Sequence, residues 1–219
     1  MAKNQNVSLS VVRRLPRYHR FLGELMQNGV HRISSRELAD IMGLTASQIR
    51  QDLNCFGGFG QQGYGYNVET LFHEISRILG LNQNLPAILI GAGNLGRAIA
   101  THMEFEARGF SLIGVFDKSS TVIGSSVGGL TVRSMEELAA FCKQESPIVA
   151  VLCIPKDSAQ ALADQLVELG IRAFWNFSHY DFAVSHKDIV VENVHMGDSL
   201  MTLSYCVHDM LDGETEETL

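Results

Sequence analysis

The chain has 219 residues, 46% of them hydrophobic and 19% charged, with a formal net charge of −7. That length builds one large domain or two modest ones, and no apolar run approaches the roughly 20 residues a membrane helix needs. With a polar N-terminus that lacks an apolar core, no secretory signal is expected. Cys55, Cys142, Cys153 and Cys206 are scattered with no CxxC or CxxH spacing, which points to reduced thiols in a cytoplasmic protein rather than a disulfide frame or a zinc site.

The charge is unevenly spread. Residues 1–80 hold nine Lys/Arg against six Asp/Glu, and the remainder eight against eighteen. Arg13, Arg14, Arg17 and Arg20 bunch together, so contact with a polyanion is expected of the first module alone. On charge alone a solvated helix face is the plainer alternative.

In chain order, Leu15, Tyr18, Phe21, Leu22, Leu25 and Met26 recur at helical spacing up to Gly29, which predicts an amphipathic helix with a glycine stop. The stretch ISSRELADIMGLTASQIRQDL follows. Ser34 or Ser35 can cap a short helix with Glu37 set for a capping box, and Leu38, Ile41 and Met42 are expected to face inward. Gly43 makes the turn. Thr45 caps the next helix, with Ile49 and Leu53 inward and Ser47, Gln48, Arg50 and Gln51 outward. That arrangement is a helix-turn-helix, and Arg and Gln are the side chains that fork onto guanine and adenine in a major groove. The glycine-rich FGGFGQQGYGYN predicts a two-stranded wing with Gln61-Gln62-Gly63 at its tip; a flexible linker is the alternative. Val68, Leu71, Phe72, Ile75 and Leu79 then form a helix ended by Gly80. Candidate DNA contacts are Arg14, Ser34, Ser35, Thr45, Ser47, Gln48, Arg50, Gln51, Gln61, Gln62, Gly63 and Tyr64.

From Pro86 the pattern alternates strands with helices. Ala87–Ile90 runs into Gly91-Ala92-Gly93-Asn94-Leu95-Gly96 and a helix expected to reach about Arg108. This is GxGxxG between strand and helix, where Gly91 serves the turn, Gly93 the approach of a pyrophosphate and Gly96 the packing of helix on strand. The helix N-terminus suits the phosphates. Asp117, twenty-one residues after Gly96, ends the next strand, where a carboxylate accepts both ribose hydroxyls and repels a 2′-phosphate, favouring NAD(H). Further strands are expected near Leu130–Arg133, Ile148–Ile154, Ala173–Phe177 and Ile189–Val194, with helices near Ser134–Glu145 and Ser158–Leu169. Candidate cofactor contacts are Gly91, Ala92, Gly93, Asn94, Leu95 and Gly96, then Asp117 with Lys118, Ile154 with Pro155, and Asn176, Phe177 and Ser178. The nicotinamide end is expected at the last two strand ends.

The expected fold is therefore α/β. It comprises a winged helix-turn-helix domain over 1–80, a Rossmann-type doubly wound parallel sheet over 81–196, and a C-terminal helix with an acidic tail over 197–219. The helix carries an apolar stripe of Leu200, Leu203, Val207, Met210 and Leu211, which packs either on its own domain or on a partner subunit; the acidic end is expected to be disordered. A dehydrogenase needs an acid or base poised over the nicotinamide, usually from a further domain, and none remains once the sheet is counted. No HExxH or P-loop pattern occurs. A small oxidoreductase and a nucleotide-gated protein adaptor stand as rivals to a DNA-binding sensor.

The segments RRLPRYHRFL, RISSRELADIMG, TASQIRQDL, CFGGFGQQGYGYNV, LIGAGNLG and VFD resemble the redox-sensing transcriptional repressor family Rex over all but the extreme termini. The resemblance implies a non-enzymatic homodimer that exchanges its C-terminal helix, with NADH and NAD⁺ competing at one site. It further implies that NADH releases the dimer from palindromic double-stranded operator DNA. Two positions depart from the family pattern: His102 stands where a Tyr is usual, and His195 where an Asp is usual. With Arg14 these belong to the polar contact that couples cofactor state to DNA binding, so a weaker or pH-sensitive switch is expected. In the wing, Gln61 and Gln62 replace residues that are often basic.

Overall fold

The computed structural model describes residues 7–61, 64–182 and 187–216. The chain divides into two compact units, Met1–Gln83 and Asn84–Leu219.

The first unit runs α1 (Leu9–Val12), α2 (Leu15–Gln27), β1 (Arg32–Ile33), α3 (Ser35–Met42), α4 (Ala46–Asn54), β2 (Gly60–Gln61), β3 (Gly65–Asn67) and α5 (Val68–Leu79). Local chemistry sets its boundaries. The Ser34 hydroxyl accepts from the Glu37 backbone N–H while the Glu37 carboxylate accepts from that of Ser34, a reciprocal cap that starts α3. Gly43, left-handed at φ 64°, ends α3, and the Thr45 hydroxyl caps α4 by accepting from the Gln48 N–H at 3.2 Å. Leu15, Tyr18 and Leu22 of α2 meet Leu38 and Met42 of α3, Ile49 and Leu53 of α4, and Leu71 and Ile75 of α5 in one buried cluster. Ile41, expected inside, is exposed, and Ala39 is buried in its place. The inward stripe of this two-turn helix runs through positions 38, 39 and 42, and a small side chain fits its crowded edge. The expected wing is present as β2 and β3, paired Gly60↔Tyr66 and Gln61↔Gly65. It gains a third strand, because β1 pairs with β3 through Arg32↔Asn67 and Ile33↔Tyr66.

The second unit runs β4 (Leu85–Ile90), α6 (Asn94–His102), β5 (Phe110–Asp117), β6 (Ser126–Val127), β7 (Leu130–Ser134), α7 (Leu138–Glu145), β8 (Val149–Leu152), α8 (Lys156–Glu168), β9 (Ala173–Asn176), β10 (Val190–Asn193) and α9 (Met196–Glu216). Its sheet order is β10-β9-β8-β4-β5-β7-β6, parallel except for the β6–β7 hairpin. The chain steps outward from β4 to β5 and β7, then returns to the other side of β4 with β8. The order reverses between β4 and β8, the place where open α/β sheets bind ligands.

Three elements depart from the expected bounds. Helix α6 stops at His102, because Glu104 takes φ 45° and a 3₁₀ turn over Glu106–Arg108 leads to left-handed Gly109. The segment before α7 is a separate 3₁₀ turn, Met135–Glu137, capped by Ser134. The last helix is longer than its apolar stripe: α9 starts at Met196 and continues into the acidic end as far as Glu216, with His208 Nδ1 and Asp212 Oδ2 2.9 Å apart one turn apart. Every described side chain of α9 from 196 to 212 is exposed. No described helix is long and apolar enough to cross a membrane.

Gly65 has φ +69°, and a Cβ there would lie 2.5 Å from the Ile33 carbonyl oxygen across the β1–β3 pair. Gly65→Ala is expected to destabilise the first unit by roughly 2–4 kcal/mol through left-handed strain and overlap. The single Trp lies in the second unit, so a circular-dichroism transition that moves to lower urea while Trp175 fluorescence stays in place is the expected result; coincident wild-type transitions would refute it.

Candidate nucleotide cleft and nucleic-acid interface

The glycine loop leaves β4 at the point of reversal. A side chain at Gly96 would overlap the Gly91 carbonyl oxygen, and one at Gly91, itself at φ +102°, would overlap the Cys153 carbonyl oxygen. Both glycines are therefore required by the fold. Gly93 is different: it caps α6 in extended conformation, and a Cβ built there meets nothing within 4 Å. The helix N-terminus is therefore open to approach at Gly93, which is what a phosphate group needs. By that test the residues fit a dinucleotide.

Asp117 holds the loop down. Its Oδ2 accepts from the Ala92 N–H at 2.6 Å and its Oδ1 from the Ser119 N–H at 2.8 Å. A carboxylate offers about four lone-pair sites, so acceptor capacity remains for ribose hydroxyls. On the far side of the loop, Arg97 donates Nε–H to the Ala92 carbonyl at 3.0 Å and Nη2–H to the Ser125 hydroxyl at 3.1 Å.

A cleft of about 250 Å³ opens above these strand ends, lined among others by Gly91, Gly93, Asp117, Lys118, Ile154 and Pro155. Those six are sequence-predicted contacts brought together. Cys153, at the same expected strand end as Ile154 and Pro155, also lines it, as do Met135, Ser158 and Leu162, which were missed. Ser158 and Leu162 stand one turn apart on the first half of α8, a spacing that could have shown them; Met135 opens the 3₁₀ turn that the Ser134–Glu137 capping box starts. Burial pushes the Cys153 thiol up to about 12, so it lines the wall as an apolar group.

Asn176, Phe177 and Ser178 lie elsewhere. The buried Asn176 amide donates to the Tyr180 carbonyl at 2.7 Å and to Asn193 Oδ1 at 2.8 Å. Its own Oδ1 accepts from both the N–H and the hydroxyl of Ser178, at 3.0 and 2.5 Å. These side chains bind β9 to β10, and Phe177 packs edge-on against Trp175 at 4.9 Å. His195, just before α9, stacks on His179 with centroids 4.7 Å apart, Nδ1 to Nδ1 at 2.8 Å. His102 is exposed at the last residue of α6.

In the first unit, Ser47, Arg50, Gln51, Asn54 and Cys55 share one open, solvent-facing side of α4. Arg50 reaches back to the Ser35 hydroxyl at 3.0 Å, so α3 braces it. Gln48 is half-buried. Ser34 and Thr45 spend their hydroxyls on helix caps. Tyr64 is 70% exposed on the wing; Arg32 lies 5.8 Å from its ring centroid and donates to its carbonyl at 3.4 Å. The sequence reading passed over Arg32, although its place two residues before the Ser34 cap marks it. Gln62 and Gly63 lie outside the described residues, and of Gln61 only the strand backbone is described. Arg14 grips Asp52 with two hydrogen bonds, Nε to Oδ2 at 2.7 Å and Nη2 to Oδ1 at 2.6 Å.

A family model described as "Putative DNA-binding protein N-terminus" matches residues 6–54, and one described as "CoA binding domain" matches residues 82–180. A redox-sensing transcriptional repressor Rex of Thermoanaerobacter pseudethanolicus is 52% identical, over 98% of each chain. The Rex of Clostridium botulinum strain Eklund 17B is 51% identical, over 95% of this chain and 99% of the relative. Among solved structures, a protein named RSP bound to NAD⁺ and operator DNA superposes with a TM-score of 0.87 at 51% identity, covering 98% of this chain and all of the other. RSP bound to NADH gives the same score at 48% identity, over 96% and 99% of the two chains. With about half of the residues identical along nearly the whole length of each chain, the chain belongs to the Rex family of redox-sensing transcriptional repressors.

Proposed function

We propose that this chain is a transcriptional repressor of the cytoplasm that gauges the NADH/NAD⁺ ratio and loses its grip on palindromic operator DNA when NADH is bound. The observation that carries this reading is the joining, in one chain, of an outward-facing recognition helix to a glycine loop whose middle glycine the fold itself does not require. We assign residues 1–80 to DNA, 81–196 to NAD(H), and 197–219 to assembly.

In the second unit, the backbone N–H groups at the start of α6 and the approach allowed by Gly93 receive the pyrophosphate. Asn94, Leu95 and Ala92 frame that approach, while Asp117 accepts ribose hydroxyls from the capacity left after Ala92 and Ser119. The carboxylate opposes a phosphate on that ribose, which disfavours NADP(H) and coenzyme A alike. Ile154, Pro155 and Leu162 supply apolar walls. Bound NAD(H) supplies a ring whose charge differs between its oxidised and reduced forms. No group of the cleft is set up as a nucleophile or general base, and the relatives are named as repressors rather than enzymes.

In the first unit, Arg50 and Gln51 face the base edges, with Ser47 beside them, and the wing around Tyr64 and Gln61 contacts the backbone. A palindromic site requires two-fold symmetry, and two features supply a surface for it. Leu200, Leu203, Met210 and Leu211 on α9 are more than half exposed. An apolar hollow of about 410 Å³ lies on the sheet, with Ala87, Val149, Val151, Trp175 and Val190 in its wall. A homodimer that exchanges α9 buries both. For NADH to release DNA a thousandfold, it must favour the released state over the bound one by about 4 kcal/mol.

Three outcomes are expected. In a gel shift with a palindromic duplex selected by the protein, NADH dissociates the complex and NAD⁺ preserves it; insensitivity to both refutes the sensor. Arg50→Ala weakens operator binding by about 1–3 kcal/mol while leaving scrambled DNA nearly unaffected, as read by fluorescence anisotropy. Gly93→Val leaves the melting temperature within about 2 °C of wild type, since the space is open and φ is −71°, yet abolishes NADH binding followed by nicotinamide fluorescence. Retained NADH affinity in that variant would remove the phosphates from this loop.

A further inference from the structure

We infer that Asp52 is the positioning residue of the recognition helix, and that Arg14 acts through it rather than on DNA. The inference rests on the operator-reading function proposed above. Asp52 lies on α4 directly after Arg50 and Gln51 but points the other way and is 2% exposed. Its two oxygens take three hydrogen bonds from a single face of α2. Arg14, the N-cap of α2, forks onto both oxygens at 2.7 and 2.6 Å, and Tyr18, one turn later, donates its hydroxyl to Oδ2 at 3.0 Å. Around this carboxylate, α4 is held to the core by Ile49 and Leu53, with Ala46 packed against the same cluster.

Apolar contacts are non-directional, and a few such side chains leave α4 free to roll and slide by amounts that cost little burial. Each residue subtends 100° of helix rotation. A forked guanidinium and a hydroxyl on one carboxylate remove that freedom, because the fork is planar and fixes an axis as well as a distance. Base-edge readout needs the reading side chains held within about 0.5 Å and 10–20°, and Arg50 and Gln51 inherit their orientation from the turn that Asp52 anchors. Specificity thus depends on a residue that cannot touch the DNA. The same geometry reassigns Arg14: both edges of its guanidinium that face Asp52 are engaged, and the hydrogen bond to Asp52 raises its pKa above the ordinary value.

The test compares the full-length wild-type chain with Asp52→Asn, Arg14→Gln, Arg14→Lys and Tyr18→Phe on two duplexes, the palindrome selected by the wild type from a randomised library and its scrambled counterpart, across a salt series. Expected is a fall of at least tenfold in the palindrome-to-scrambled affinity ratio for Asp52→Asn and Arg14→Gln, with scrambled-DNA affinity and the salt slope retained. Arg14→Lys, which cannot fork, should fall between. Tyr18→Phe keeps the buried ring and removes one bond, so a few-fold loss of the ratio is read even if Asp52→Asn does not fold. Variants that melt earlier yet keep the wild-type ratio would overturn the inference, since the network would then serve stability alone. Equal weakening on both duplexes with a salt slope lower by about one would also overturn it, because Arg14 would then be a phosphate contact. A wild-type chain that selects no palindrome overturns the operator-reading function itself, and the inference with it.

Discussion

The seating of α6 on the turn that leaves β4 is the constraint on which the second unit depends. Gly96 lies against the Gly91 carbonyl, and Gly91 lies against the Cys153 carbonyl. Two missing side chains therefore bring the start of a helix, the end of β4 and the end of β8 to a single point. A methyl group at either position drives backbone against backbone, for which no rotamer change compensates. Because α6 is seated there, its N-terminus aims across the strand ends where the sheet order reverses, and the cleft forms at that place. Asp117 and Arg97 then pin Ala92 from opposite sides, one through its N–H and the other through its carbonyl.

This construction explains why the cleft reads a cofactor without transforming it. Everything that holds the loop is already engaged with backbone, and the walls are Met135, Ile154, Leu162 and a Cys153 whose thiol burial keeps protonated. Rate acceleration needs a group whose pKa or position favours a transition state; a sensor needs only unequal affinity of its ligand for two conformations. The charge division follows the same logic. The acidic second module repels nucleic acid while the basic first module attracts it, which favours the proposed reading of DNA by the surface that carries Arg50.

Much of the fold was legible because it is written in local chemistry. Ser34 with Glu37, Thr45 before α4, Gly43 and Gly80 as left-handed stops, and a glycine loop between strand and helix each act within a few residues. What sequence reading missed acts over distance. Strand β1 is two residues long and exists only because β3, more than thirty positions later, pairs with it. Strand ends at 154–155 and 176–178 look equivalent in the sequence. The buried amide of Asn176 turns the latter inward, toward Asn193 and Tyr180, and that pairing has no periodicity to betray it. Arg14 was read as a DNA contact and a member of the switch; its observed partner, Asp52, is thirty-eight residues away.

The two units solve one problem in the same way. In each, an apolar core supplies most of the stabilisation but leaves a ligand-facing element with freedom to shift, and a carboxylate removes that freedom by accepting directional bonds. Asp52 does so for α4 by accepting from Arg14 and Tyr18, and Asp117 for the glycine loop by accepting from Ala92 and Ser119. The difference between the two lies in exposure. Asp52 is sealed, so its whole capacity goes to positioning, whereas Asp117 stands at the rim of the cleft with lone pairs to spare. A buried carboxylate left with fewer partners carries an uncompensated charge, so each partner Asp52 loses costs the seating of α4. Asp117 can gain and lose partners without that cost, and this is what a group that meets a reversible ligand requires.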